Sequence, residues 1–96
     1  MIIKVFANFR SIVGASQITY PVPDPQPVKN VLNALAEKYG KDMKDILFTD
    51  GRISKDLMLS LNDQVIEKDP ERLLHDSDQL LLLLPLKIIL RKLLMR

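Results

Sequence analysis

The sequence predicts an α+β domain in which a mixed sheet of four to five strands packs against one main helix. Three patterns predict this class: alternating apolar residues near the N-terminus, a helical apolar stripe between Pro27 and Gly40, and a leucine run from Leu80 to Leu84. With 96 residues, 47% of them hydrophobic and 27% charged, the chain has the size and composition of one domain. We assign residues 1–86 to this domain and residues 87–96 to a basic C-terminal tail.

The first two elements are predicted to form a hairpin of strands. In residues 2–10, apolar side chains fall mainly on one side of an extended chain: Ile3, Val5, Ala7 and Phe9. A turn at residues 13–16 leads to a second alternating segment containing Ile18, Tyr20 and Val22. Because Pro21 and Pro23 donate no hydrogen bond to a sheet, this second strand should lie at an edge or end early.

The main helix is predicted between Pro27 and Gly40. Proline is favoured in the first turn of a helix and glycine just after its last turn. The apolar residues between them recur at intervals of three and four: Val28, Val31, Leu32, Leu35, Ala36 and Tyr39. Such a stripe is typical of a helix that lies across a sheet.

The segment from residue 41 to residue 78 is predicted to consist of short elements. Residues 41–48 should add a helical turn, and Asp50-Gly51 marks a chain reversal. Alternation at residues 57–61 predicts a third strand, and Asn62-Asp63 is a tight-turn signal before a short strand at Val65-Ile66. A polar loop interrupted by Leu73-Leu74 follows.

The leucine run fits a strand that is buried on both faces, because a turn precedes it and Pro85 ends it. If the first and last strands are neighbours in the sheet, they run parallel and are joined through the helix. Alternate leucines then lie under the helix. The others, Leu80, Leu82 and Leu84 or their alternates, emerge on the uncovered face, where an apolar patch usually marks a partner surface or is covered by the tail.

The period changes after Pro85. Leu86, Ile89, Leu90, Leu93 and Leu94 follow helical spacing, with basic residues beside them. The tail is therefore predicted to be a short amphipathic helix, which at about ten residues needs a surface to lie on. The sheet face of the domain, a second copy of the chain, and a partner or a membrane surface all remain possible surfaces for the tail.

Four segments resemble the ubiquitin-like sulfur carriers, the family of the molybdopterin synthase small subunit (MoaD) and the thiamine sulfur carrier (ThiS). They are IIKVFANFRSIVG, VKNVLNALAEKYG, DGRISKDLMLSLND and HDSDQLLLLLPL, in that order. The resemblance implies a β-grasp fold and a place in molybdenum or tungsten cofactor biosynthesis. It also implies docking through the uncovered sheet face to a protein partner similar to the molybdopterin synthase large subunit or to an adenylating enzyme.

Family members carry a C-terminal Gly-Gly whose carboxylate becomes a thiocarboxylate. In this sequence the corresponding positions are Ile88 and Ile89, and the three glycines lie elsewhere, at Gly14, Gly40 and Gly51. Two β-branched residues do not fit a channel shaped for bare backbone. We therefore expect an accessory protein that is not itself thiocarboxylated. The alternative is a non-conjugating interaction module that uses the sheet face and tail helix for dimerisation or partner binding.

Other classes of function are disfavoured. The chain has no cysteine, and its single histidine, His75, lies in a polar loop, so we expect no metal site and no cofactor. No nucleophile or phosphate-binding motif is present, which argues against an enzyme. The net charge is only +2, and the basic residues are spread along the chain with acidic residues between them, which argues against nucleic-acid binding. The longest apolar run is too short to cross a bilayer, so membrane association is not expected. We expect a cytoplasmic location.

Overall fold

A five-stranded mixed sheet is the centre of the structure, a computed structural model that describes residues 1–6, 8–84 and 94. The elements follow the chain as β1 Ile2–Val5, α1 Asn8–Val13, β2 Gln17–Thr19, β3 Gln26–Pro27, α2 Val28–Tyr39, α3 Lys41–Leu47, β4 Phe48–Thr49, β5 Arg52–Ile53, β6 Met58–Leu61, β7 Gln64–Ile66, β8 Leu73–Leu74 and β9 Gln79–Leu83. The strand order in the main sheet is β2-β1-β9-β6-β7. The predicted α+β class and mixed sheet are confirmed.

The first and last strands are neighbours in the middle of the sheet. β1 runs parallel to β9, with Ile3 opposite Leu80, and antiparallel to β2. On its other side β9 pairs antiparallel with β6, which continues into β7 through a tight turn. Both turn residues, Asn62 and Asp63, have positive φ, as a two-residue hairpin turn of this kind requires.

The helix α2 covers one face of this sheet, as its apolar stripe predicts. Its side chains Val28, Val31, Leu32 and Leu35 are buried. Gly40, with φ 85°, ends the helix and donates its N–H to the carbonyl of Ala36. The shorter helix α3 follows directly and buries Met43, Ile46 and Leu47.

The predicted strand through residue 10 is wrong beyond Val5. The chain instead forms α1, in which Phe9 is fully buried and Ile12 and Val13 pack against the core. Ile12 and Val13 lie three and four residues after Phe9, so the three side chains share one helical face. Gly14, with φ 79°, ends the helix and donates its N–H to the Arg10 carbonyl at 2.8 Å. Ala7, expected to face inward on the strand, lies outside the described residues.

The smaller predicted elements lie where the sequence indicates. β2 is an edge strand and ends before Pro21. Asp50-Gly51 connects β4 and β5, and the leucines of the polar loop form β8, which pairs with β3.

The burial of β9 corrects the prediction for its leucines. Leu80 and Leu82 are fully buried and Leu84 is 3% exposed, so these three belong to the core and do not emerge on the uncovered face. They lie beside Ile3, Val5, Leu59 and Leu61, which are also buried. Their alternates, Leu81 and Leu83, point the other way and are partly exposed.

Candidate docking surface

The face of the sheet opposite α2 carries apolar side chains from three neighbouring strands. Leu81 lies between Lys4 of β1 and Ser60 of β6, and Leu83 lies opposite Met58. Because side chains alternate along each strand, these residues share one face. Phe6, two residues after Lys4, and Val65, opposite Ser60, extend it at both ends. We call Phe6, Met58, Val65, Leu81 and Leu83 the open-face patch.

The patch is accessible at its ends and in part at its centre. Phe6 is 41% exposed, Met58 38% and Val65 72%, while Leu81 and Leu83 are partly exposed. Of the residues that the structure describes, none forms a second layer over it. Large apolar side chains grouped this way typically mark a surface that another molecule covers.

A shallow depression of about 200 Å³ lies within this face. Lys4 and Asp63 supply charges at its edge, Ser60 and Gln79 supply neutral polar groups, and Phe6 and Leu81 supply apolar surface. The Arg10 guanidinium lies 5.7 Å from the centre of the Phe6 ring and adds a cation beside the patch. An apolar centre with a polar rim is the usual composition of a protein interface.

A set of hydrogen bonds fixes β9 beside its neighbours. Asn62 donates its side-chain N–H to Asp78 Oδ1 at 2.9 Å and accepts the Gln79 N–H at 2.9 Å. Asp78 Oδ2 accepts the His75 N–H at 2.8 Å, and the Asp78 carbonyl accepts the Ile2 N–H at 3.2 Å. The start of β9 is thus attached both to the β6–β7 turn and to β1, which determines which leucines face outward.

Two carboxylates near this end of the sheet have lowered pKa values. Partial burial of Asp78 opposes its ionisation, but hydrogen bonds from Asn62 and His75, together with the nearby His75 ring, outweigh burial and lower the pKa of Asp78. The pKa of Asp76 is also lowered, by the hydrogen bond from the Val22 N–H and by the Met1 ammonium group. Asp78 accepts a hydrogen bond within the turn before β9, whereas Asp76 accepts hydrogen bonds from the distant Val22 and Met1.

Several predicted site residues lie beyond the part of the chain that the structure describes. These are Leu86, Ile88, Ile89, Leu90 and Leu93. Leu94 is described and is 86% exposed. The boundary of the domain at residue 86, the tail helix and the position of the replaced Gly-Gly therefore stay predictions.

The described residues supply no arrangement typical of catalysis or metal binding. Within residues 1–6, 8–84 and 94, no three His, Asp or Glu side chains come close enough to hold a metal ion. The side chain of His75 is 56% exposed, and its Nδ1 lies 3.6 Å from Asp78 Oδ2. No helix in this part of the chain is long and apolar enough to cross a membrane.

The comparison with protein families decides which group the chain belongs to. The model described as the ThiS family matches residues 3–86, which is most of the chain. This chain belongs to the ThiS family. The resemblance found in the four sequence segments is therefore confirmed, and so is the β-grasp fold it implied.

Solved structures of archaeal proteins share the fold of this ThiS-family chain. The Haloferax volcanii HVO 2177 protein is 25% identical over 88% of this chain and 81% of its own, with a TM-score of 0.75. The small archaeal modifier protein 1 of Methanosarcina acetivorans is 26% identical, with coverages of 88% and 91% and a TM-score of 0.70. A Pyrococcus furiosus protein provisionally named molybdopterin converting factor, subunit 1, is 20% identical, with coverages of 88% and 95% and a TM-score of 0.69. No curated protein matches the sequence significantly.

Sequence reasoning did not find Phe6, Met58 and Val65 as members of the patch. Phe6 directly follows β1 and alternates with the inward residues Ile3 and Val5, so the apolar pattern of the first strand gives it no role. Met58 and Val65 sit in short alternating segments whose other residues supply the core. Strand pairing is the information that could have identified them. A residue directly opposite an outward leucine of β9 lies on the same face of the sheet as that leucine.

Proposed function

We propose that this ThiS-family chain is a cytoplasmic accessory protein of molybdenum or tungsten cofactor biosynthesis that acts by binding a protein partner. Family membership supports a carrier- or modifier-like role, and the Pyrococcus furiosus structure supports the cofactor pathway. The observation that carries the proposal is the open-face patch on β9. The same strand leads into residues 85–96, so a partner that covers the patch can also reach the segment after Pro85.

The chemistry of the segment after β9 argues that the chain binds without carrying sulfur. A terminal Gly-Gly can lie in a narrow channel because neither residue has a side chain. Ile88 and Ile89 occupy the corresponding positions, and each carries a β-branched side chain. The chain in this form therefore acts as a non-catalytic binding protein, and its partner resembles the molybdopterin synthase large subunit or an adenylating enzyme.

A second candidate function is an interaction module that pairs with a copy of itself. The apolar composition of the patch favours it, since apolar sheet faces can also bind each other across a two-fold axis. In that arrangement residues of the tail stripe, Leu86 to Leu94, would contribute to the interface.

One experiment separates these candidates. The purified chain is incubated with an adenylating enzyme of its own genome, ATP and a sulfur donor, and intact mass is then measured; binding to that enzyme and to the synthase large subunit is measured by calorimetry. We expect unchanged mass and binding to at least one partner. A product in which one sulfur replaces one oxygen would contradict the non-carrier role. Absence of binding, with a dimer in sedimentation, would favour the second candidate.

A further inference from the structure

A second concavity, of about 730 Å³, lies on the side of the molecule that carries α2, away from the open-face patch. Three segments form it: the first turns of α2, the β4–β5 hairpin with the residues after it, and the loop that precedes β8. Its lining residues include Lys29, Phe48, Arg52, Ile53, Lys55, Lys68 and Glu71. We call this concavity the basic groove.

The lining of the basic groove is positively charged. Four of its lining residues are cationic and only Glu71 is anionic. Glu71 is bound to Lys29, with 2.6 Å between Oε1 and Nζ, while Lys68 donates to the carbonyls of Ser54 and Lys55. Among the described residues, Arg52 and Lys55 form no ion pair. They are therefore the cations available to an incoming anion.

The groove also has an apolar surface. Phe48 and Ile53 are opposite each other in the β4–β5 hairpin and both are partly buried. Asp50 and Gly51, with φ 53° and 77°, form the tight turn between these strands. A two-residue turn of this kind holds its flanking strands in one register. Phe48 and Ile53 therefore share one face of the hairpin. Arg52 leaves the backbone on the other face, and all three residues line the groove.

The first two N–H groups of α2 are already used in hydrogen bonds, so the side chains of the groove are its main donors to an anion. The Val28 N–H donates to the Arg72 carbonyl at 2.8 Å, and the Lys29 N–H donates to the Pro70 carbonyl at 3.0 Å. These bonds occupy the donors that often bind phosphate at a helix start. The volume of the groove falls within the range typical of small-molecule sites, about 300–1,000 Å³.

We propose that the basic groove binds a small organic phosphate whose apolar ring lies on Phe48 and Ile53 and whose phosphate meets Arg52 and Lys55. Arginine suits the phosphate because its planar guanidinium can donate two parallel hydrogen bonds. Glu71 holds Lys29 and so competes with the ligand for a third cation. This inference does not depend on the proposed partner or pathway, because it concerns the opposite side of the domain.

The test is a titration of the ¹⁵N-labelled full chain with ATP, AMP, phenyl phosphate and, as the uncharged comparison, adenosine. We expect the phosphates to shift the amide signals of residues 48–55, 68, 69 and 71, and adenosine to bind more weakly. The double variant Arg52→Gln/Lys55→Gln should weaken phosphate binding about fivefold or more, since each exposed ionic contact contributes a modest free energy. Lys41→Gln, which removes one charge outside the groove, should leave binding unchanged.

Glu71→Gln provides the sharper test because it should improve binding. Without its ion pair to Glu71, Lys29 can bind the ligand, so the affinity for the phosphates should rise about two- to fivefold. This is the range of an exposed ionic contact. Loss of affinity in this variant would contradict the competition by Glu71. The proposal is overturned if no probe shifts the groove signals at millimolar concentration, or if Lys41→Gln weakens binding as much as the double variant does.

Discussion

At the scale of single residues, Asp78 shows how one carboxylate determines where a strand starts. It accepts hydrogen bonds from Asn62 and from the His75 amide, and its own carbonyl accepts the Ile2 N–H. These bonds attach the residue just before β9 to the β6–β7 turn and to β1. Because the ionised carboxylate is the better acceptor, folding favours ionisation and lowers the pKa of Asp78.

This lowering predicts a dependence of stability on pH. A carboxylate with a lowered pKa in the folded state stabilises the fold above its unfolded pKa and loses that effect as pH falls through the folded pKa. The free energy of unfolding should therefore fall as pH decreases below about 5, with Asp76 contributing in the same direction. Urea titrations at a series of pH values measure this free energy of unfolding.

The matched variant is Asp78→Asn, which keeps the shape of the side chain and removes its titration. It should be less stable than the wild type at neutral pH and should lose less stability on acidification. Parallel pH profiles for the two proteins would show that Asp78 does not contribute to the acid sensitivity.

At the scale of elements, α1 depends on Gly14. The glycine lies directly after the helix with φ 79°, and no atom lies within 4 Å of the position a Cβ would take. Any cost of a side chain there therefore comes from backbone conformation and not from a clash. Because α1 places Phe9 in the core, disturbing its end should affect the whole domain.

Gly14→Ala should lower the free energy of unfolding by about 1–2 kcal/mol, the cost of the left-handed conformation for an L-residue. Gly14→Asn should cost less, since asparagine tolerates this conformation better. Thermal and urea unfolding measure both values. Equal losses in the two variants would indicate that something other than φ determines the effect.

The elements also show which features a sequence determines by itself. The stripe of α2 extends over twelve residues, and only a helix of period 3.6 places all its apolar members together. In contrast, Ile3, Val5 and Phe9 fit an alternating strand as well as the observed strand and helix, so α1 was missed. Five consecutive leucines contain no alternation, so their inward and outward members depend on contacts made by Asp78 and Asn62. A shift of one residue would exchange the two sets.

At the scale of the whole molecule, the sheet has two different sides. The side with α2 and α3 holds the core and, at its surface, the basic groove. The other side holds the open-face patch, whose apolar members come from β1 or its end, β6, β7 and β9. The family fold could be predicted from the order of the sequence segments. The patch could not, because its members are brought together by strand pairing between distant parts of the chain.

Binding of a protein partner through the open-face patch is the central claim, and a calorimetric titration of face variants against the synthase large subunit or the adenylating enzyme tests it most directly. Met58→Glu and Phe6→Glu place a carboxylate in the patch at side chains already 38% and 41% exposed, so the fold should tolerate them. Leu73→Glu is the matched control, because Leu73 is 52% exposed on β8, outside the patch. We predict that the two patch variants weaken binding about tenfold or more and that Leu73→Glu binds as the wild type does. Equal affinity for all four proteins would contradict the claim.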